Sequence, residues 1–314
     1  MARAYGWNSR LLLGFEPQYG QSPASGDYYQ IPFVSSSLDS EQGLIESSVL
    51  GQGRDPSAPF QDVINVDGDI VVPMDLRHIG LWLQALLGDP TTSGTGPYTH
   101  EFTSGKTTLP SMTLEMGLPE VPEYLRFSGV RANTLALNFQ RSGEAQATIG
   151  LMGQSETVAT TSIDTTPSEL IYSRFSQFQG SVTRAGQPLA DVTSASITYS
   201  NNLERIETIR DDGKIEAIDP GMGSLTGSIS VRYGNSELME LARSGTPIDL
   251  ELAYTIDADK QLRITAHEVY LPKPKRSISG PGGIEASYDF QGAREQTLGR
   301  MLTITLINDL EGWA

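Results

Sequence analysis

The sequence has no cysteine among its 314 residues. That excludes disulfides, thiolate metal sites and cysteine nucleophiles together, so the fold must stand on packing and assembly. Histidine is scarce, at three. No apolar run approaches the roughly 18 residues of a membrane-spanning helix, and the short run LLL at residues 11–13 falls short of a signal-peptide core. The expected molecule is therefore soluble, with no membrane partner. Basic residues are also few, 22 against 38 acidic, for a formal charge of -16 and a pI near 4.6. Such a balance argues against a surface that grips nucleic acid, which needs lysine and arginine to neutralise phosphates. A surface past which DNA must slide without sticking has the same sign.

What is present is glycine (32), proline (18) and 38% hydrophobic residues, the composition of a loop-rich β protein. The length exceeds the usual single-domain size and predicts two domains. Residues 66–88 (VDGDIVVPMDLRHIGLWLQALLG) organise the first. A turn pair at Asp67-Gly68 leads into an apolar strand, followed by a helix with apolar residues at Leu76, Ile79, Leu83, Leu86 and Leu87. Asp75 is placed to cap that helix and Gly88 to end it. Residues 225–245 (LTGSISVRYGNSELMELARSG) repeat the grammar, with a helix start at Asn235 or Ser236 and a closing Gly245.

The agreement continues downstream. MTLEM at 112–116 and the strand around 124–127 form one predicted hairpin; IDLEL at 248–252 and the strand around 261–264 form its counterpart. Strands at 143–151 and 283–290 each come to a glycine, Gly153 and Gly292. The offset is 159 at the strand glycine (227 minus 68) and 137 at the arginine (263 minus 126), which places insertions in the first copy's loop at 89–108. The polar stretch 155–168 marks the link between copies. The predicted division is a domain at 1–155, a linker at 156–170 and a domain at 171–314.

Residues 1–30 are studded with aromatics and cannot make a core alone, so they fold back or dock on a neighbour. Residues 31–38 read as a strand, as do 194–200 (SASITYS), and each is followed by a long segment, 39–61 and 201–223. Residues 170–182 alternate at Ile171, Phe175 and Phe178. Residues 301–308 (MLTITLIN) read as a strand with one buried face, and Trp313 as a docking anchor or frayed tail.

The search for chemistry is negative. His78, His100 and His267 show no metal-ligand or His-carboxylate spacing. The glycine-rich 221–227 lacks a following lysine and leads into a strand, not into the helix N-terminus that holds an anion. Asp257 and Asp259 flank a hairpin turn more naturally than a calcium ion. Lys273, Lys275 and Arg276 form a basic cluster that an acidic partner surface or plain solvent could meet. No nucleophile elbow and no acid/base carboxylate pair is present. The chain is expected to have no enzymatic activity, cofactor or metal.

A succession of loose motifs remains: FEPQYG at 15–20, YQIPF at 29–33, SSSL at 35–38, GQGRDP at 51–56, GDIVV at 68–72 and the helix after them. In that order they resemble the major tail tube proteins of long-tailed, non-contractile bacteriophages (siphophages), over residues 10–155 directly and over the second copy by internal comparison. The resemblance implies a mainly β protein with two tandem β-sandwich domains. Each has a flanking α-helix, and inner sheets complete an intersubunit β-barrel. It implies stacked rings forming a conduit for genomic DNA, with the tape-measure, tail terminator and tail-tip proteins as partners, in the virion after assembly in the host cytoplasm. A doubled chain builds such a ring as a homotrimer with pseudo-six-fold symmetry; the alternative is a homohexamer. On this reading Arg54, Asp55, Arg210, Asp211 and Asp212 lie on inter-ring arms, and Glu115 and Glu251 face the lumen. The competing expectation is a virion-associated β-sandwich that binds host or carbohydrate.

Overall fold

The structure is a computed structural model that describes residues 3–51, 53–189, 191–234, 236–275 and 282–313. The first half runs β1 (Arg10–Phe15), β2 (Tyr29–Ile31), β3 (Ser35–Ser36), β4 (Asp39–Ile45), β5 (Phe60–Pro73), α1 (Ile79–Leu87), β6 (Thr91–Ser93), β7 (Tyr98–Thr103), β8 (Met112–Leu118), β9 (Glu123–Gln140), β10 (Gln146–Gly153) and β11 (Ser155–Ala159). The second runs β12 (Gly180–Arg184), β13 (Gln187–Pro188), β14 (Val192–Ser200), β15 (Glu204–Ile206), β16 (Ala217–Asp219), β17 (Ser224–Arg232), α2 (Glu237–Ser244), β18 (Ile248–Asp257), β19 (Lys260–Tyr270), β20 (Glu285–Ala293) and β21 (Leu302–Asn308). The chain is mainly β, with open sheets arranged as a β-sandwich.

Each half carries the same six antiparallel pairings. In the first they are β1 with β8, β8 with β9, β9 with β11, β9 with β10, β10 with β5, and β5 with β4. In the second, β12, β18, β19, β21, β20, β17 and β14 take the places of β1, β8, β9, β11, β10, β5 and β4. The long strand β9 makes this possible by serving two sheets. Residues 123–130 pair with β8 and β11, residues 131–140 with β10 and β14. At the change of sheet Gly129 has φ 64°, and a Cβ there would lie 2.7 Å from that of Gln154; only glycine turns here without strain.

Among the described residues two strand pairings join the halves. Strand β14 lies antiparallel on β9, from Ser194 opposite Gln140 to Ser200 opposite Thr134. One central sheet therefore runs β4–β5–β10–β9–β14–β17–β20–β19 through both halves. The second joint was not legible beforehand: the glycine-rich loop at 89–108 folds into the hairpin β6–β7, and β7 adds to the outer edge of β21. A single apolar cluster includes Leu114, Trp82 and Phe127 from the first half and Leu252, Ile264 and Phe290 from the second.

Several local expectations need correction. Residues 31–38 are not one strand, because Pro32 separates β2 from β3. The linker at 156–170 begins inside β11, which belongs to the first half's sheet. Of the alternating 170–182 residues, only Phe175 is buried; Ile171 and Phe178 are exposed, and Phe175 donates its amide to the Met74 carbonyl. Strand β21 is buried on both faces, with Thr303 as enclosed as its apolar neighbours. Helix α1 starts one turn later than expected, and Asp75 instead holds the preceding turn, accepting from the amides of Arg77 and His78. Helix α2 follows Ser236, while Asn235 lies outside the described residues.

Trp313 is the anchor and not the frayed tail. It donates through Nε1 to the Arg77 carbonyl at 2.9 Å, lies 4.8 Å from the His100 ring, and covers Gly80, where a Cβ would be 1.9 Å from its ring. Among the described residues no helix is long and apolar enough to cross a membrane.

Candidate assembly surfaces

The two carboxylates proposed for a lumen behave differently. Glu115 is buried (1% exposed). It accepts from Arg126 Nε at 2.7 Å, Ser162 Oγ at 2.6 Å and the Ile163 amide at 2.8 Å. The segment after β11 crosses over β8 and encloses it, so Glu115 is an internal tie and does not face a bore. Glu251 is half-buried on β18 and accepts from Thr265 Oγ1 at 3.4 Å. Both stand on flanking strands and not in the central sheet.

The arms also differ from one another. Residues 39–45 of β4 pair with 60–67 of β5 as a hairpin, with Leu44 (67% exposed), Val49, Leu50, Phe60 and Val63 all open to solvent. Arg54 and Asp55 are exposed near its tip. The second arm carries the small β15–β16 ladder, and it is seated. Its Leu203, Ile215 and Ile218 pack with Leu109 and Met152 of the first half. Arg205 pairs with Asp67, Arg131 donates to the Ile218 carbonyl, and Leu203 donates its amide to Asn133 Oδ1 at 3.0 Å. At its tip Arg210 grips Asp212 through two bonds, of 2.8 and 2.9 Å, and also reaches Glu216. The guanidinium holds the Asp212 carboxyl well below the usual carboxylate range, and those two partners raise Arg210. Asp211 is exposed beside them.

The outward face of the central sheet is a third surface, missed by a search for charged motifs. Alternation sends Leu225, Ile229 and Val231 inward and Thr226, Ser228 and Ser230 outward on β17; on β14 it leaves Ser194, Ser196, Thr198 and Ser200 outward. Ser196 and Ser228 bond across the strands at 2.9 Å. Its acids fall in register. Asp69 on β5 is opposite Gly150 on β10, and Asp289 on β20 is opposite Ser228 on β17. Because β5 corresponds to β17 and β10 to β20, with Gly68 opposite Leu151 matching Gly227 opposite Phe290, each half carries one exposed aspartate on the same rung. The signal was present in the sequence as the alternating hydroxyls of SASITYS and LTGSISV.

The histidines make structural bonds: His78 to Asp75 at 2.6 Å, His100 to Thr92 and the Leu310 carbonyl, His267 to Thr303. No group of His, Cys, Asp or Glu among the described residues is arranged to hold a metal. Asp257 accepts from the Asp259 amide at 2.9 Å inside the β18–β19 turn. Lys273 and Lys275 follow β19, and Arg276 lies outside the described residues.

A model of the phage tail tube protein family matches residues 6–292. The chain belongs to this family. Membership makes it a structural tail tube component of a bacteriophage virion that self-assembles into the tube, and does not favour the host-binding alternative. A comparison with individually curated proteins finds none that matches.

Proposed function

We propose that this tail tube protein is a tandem-duplicated wall segment of a siphophage tail, three copies of which close a ring with pseudo-six-fold symmetry. The observation that carries the reading is the central sheet. The same six pairings occur in each half, and β14 of the second half sits on β9 of the first as one sandwich would sit on its neighbour in a ring. The matching edge of the first half, β3 and β4, has no outer partner among the described residues. A heterologous contact of this kind repeats head to tail until it closes, and it turns an exposed sheet edge from an aggregation hazard into the means of assembly.

On this reading the domains are the two sandwiches, with the first extended through β11. The outward face of the central sheet lines the bore. Hydroxyls and the aspartates at positions 69 and 289 offer DNA and the tape-measure protein a hydrated, weakly repelling wall. Rings stack through arm tips bearing Arg54, Asp55 and Arg210–Asp212 to make the conduit, bounded by terminator and tail-tip proteins and assembled in the host cytoplasm. Native mass spectrometry and negative-stain images of the purified protein test this. Trimeric rings or tubes are expected. A stable monomer at all concentrations, or a hexamer of chains, overturns it.

A further inference from the structure

We propose that the first arm of one copy lies across the second half of the next copy in the same ring, in a seat that is the open counterpart of the one its own second arm fills. The proposal rests on the ring reading and names the contact that closes it. In the first half, the second arm lies over a row across three strands: Asp67 on β5, Met152 on β10 and Arg131 on β9. Asp67 takes Arg205, Met152 meets the cluster around Leu203, and Arg131 takes the Ile218 carbonyl.

The second half carries the same row as Thr226 on β17, Gln291 on β20 and Tyr270 on β19, joined by the same pairings. There the row borders a cavity of about 690 Å³ that is also lined by Ser196, Asp289 and Leu271. Tyr270 is 40% exposed.

The occupant is identified by the arms themselves. Ser40 opposite Val66 on β4–β5 corresponds to Tyr199 opposite Leu225 on β14–β17. Leu44 lies four residues past Ser40, as Leu203 lies four past Tyr199. Leu203 is 7% exposed in its seat, whereas Leu44 is 67% exposed. The chain cannot seat its first arm on its own second half, because that arm leaves from the far edge of the central sheet, with β5, β10, β9 and β14 between it and β17. A neighbouring copy set down by the internal rule brings Leu44 to Gln291. Pro272 and Pro274, which follow Tyr270, remove amide donors from that edge. The joint between copies therefore leans on the arm more than the internal joint does.

The absence of cysteine makes the test direct. The double variant Leu44→Cys with Gln291→Cys, assembled and treated with a short bismaleimide, should link copies into a covalent series that stops at the ring size. The pair Leu203→Cys with Met152→Cys should link only within one chain. Tubes that form without a Leu44–Gln291 link overturn the proposal, and so does a series running past ring size, which would place the arm between rings. Leu44→Asp should cut the assembled fraction at least tenfold at equal protein concentration while Leu44→Met retains it; wild-type assembly of Leu44→Asp also overturns it. If the unmodified protein forms neither rings nor tubes, the assembly reading itself fails.

Discussion

At the scale of single residues, buried carboxylates fix the joins between segments distant in sequence. Glu115 serves three donors from two segments. Removing it takes the acceptor from the partly buried Arg126 Nε and from the Ile163 amide, while the Ser162 hydroxyl keeps the Asp164 carbonyl, a loss on the order of 3 kcal/mol. Glu115→Ala is expected to lower the urea midpoint accordingly, and Glu115→Gln by less; an unchanged midpoint would return Glu115 to the surface. Asp75 gives a pH signature. Its burial pushes the carboxyl up, but hydrogen bonds from the His78 ring and the amides of His78, Ser173 and Arg77 outweigh that and hold it below the ordinary value. A depressed folded-state value means stability that is present above the unfolded value, near 4, and lost as pH falls through the folded one. Thermal melts should fall below about pH 4, and Asp75→Asn should be less stable at pH 7 and lose less on acidification. Glu115 shows why such roles escape sequence reading. Its place in a strand was legible from alternation, but the segment that covers it comes from 47 residues downstream, and no local pattern records that crossing.

At the scale of elements, strands and helices were readable because their signals are local: turn glycines, alternation and an apolar helical stripe. Both hairpins and both strand-to-helix units are present, with α1 starting a turn late, and strands run to Gly153 and through Gly292 to Ala293. What escaped was the pairing between the halves. In the β6–β7 hairpin Gly94, Gly96 and Pro97 signal only the turn, while β7 itself carries the strand formers Tyr98, Thr99, Phe102 and Thr103; its pairing with the edge of β21, far off in sequence, is what no local signal records. The clasp at α1 tests this fusion. Asn308 donates to the Leu76 carbonyl at 3.0 Å, Asp309 pairs with Arg77, and Trp313 covers Gly80. Gly80→Ala cannot coexist with Trp313 in place, so the indole must leave. The cost is expected to be about 1–3 kcal/mol, with a red-shifted tryptophan emission. Trp313→Ala should cost stability alone yet add little in the Gly80→Ala background, because both changes open the same contact.

At the scale of the whole molecule, the conduit proposed above asks two opposed things of a chain charged at -16: to join copies of itself and to leave DNA alone. The central sheet separates the tasks by face and by edge. Its edges supply backbone and arm contacts, which do not depend on net charge. Its outward face supplies hydroxyls with one exposed aspartate per half on a common rung, so the trimeric ring proposed above would set six carboxylates at one height around its bore. Phosphates passing such a ring gain no counterion release and are turned away over about a Debye length, roughly 8 Å at physiological salt. Reversing its first-half member isolates the effect, because Asp69 belongs neither to the internal joint between β14 and β9 nor to the cavity proposed to seat the arm. Tubes of Asp69→Lys should form normally and retain a labelled single-stranded oligonucleotide that unmodified tubes release. The retention should weaken steeply between about 50 and 200 mM salt, as an interaction driven by counterion release must. Retention equal to that of unmodified tubes would place Asp69 away from the bore, and the wall of the conduit would then have to be sought on another face of the subunit.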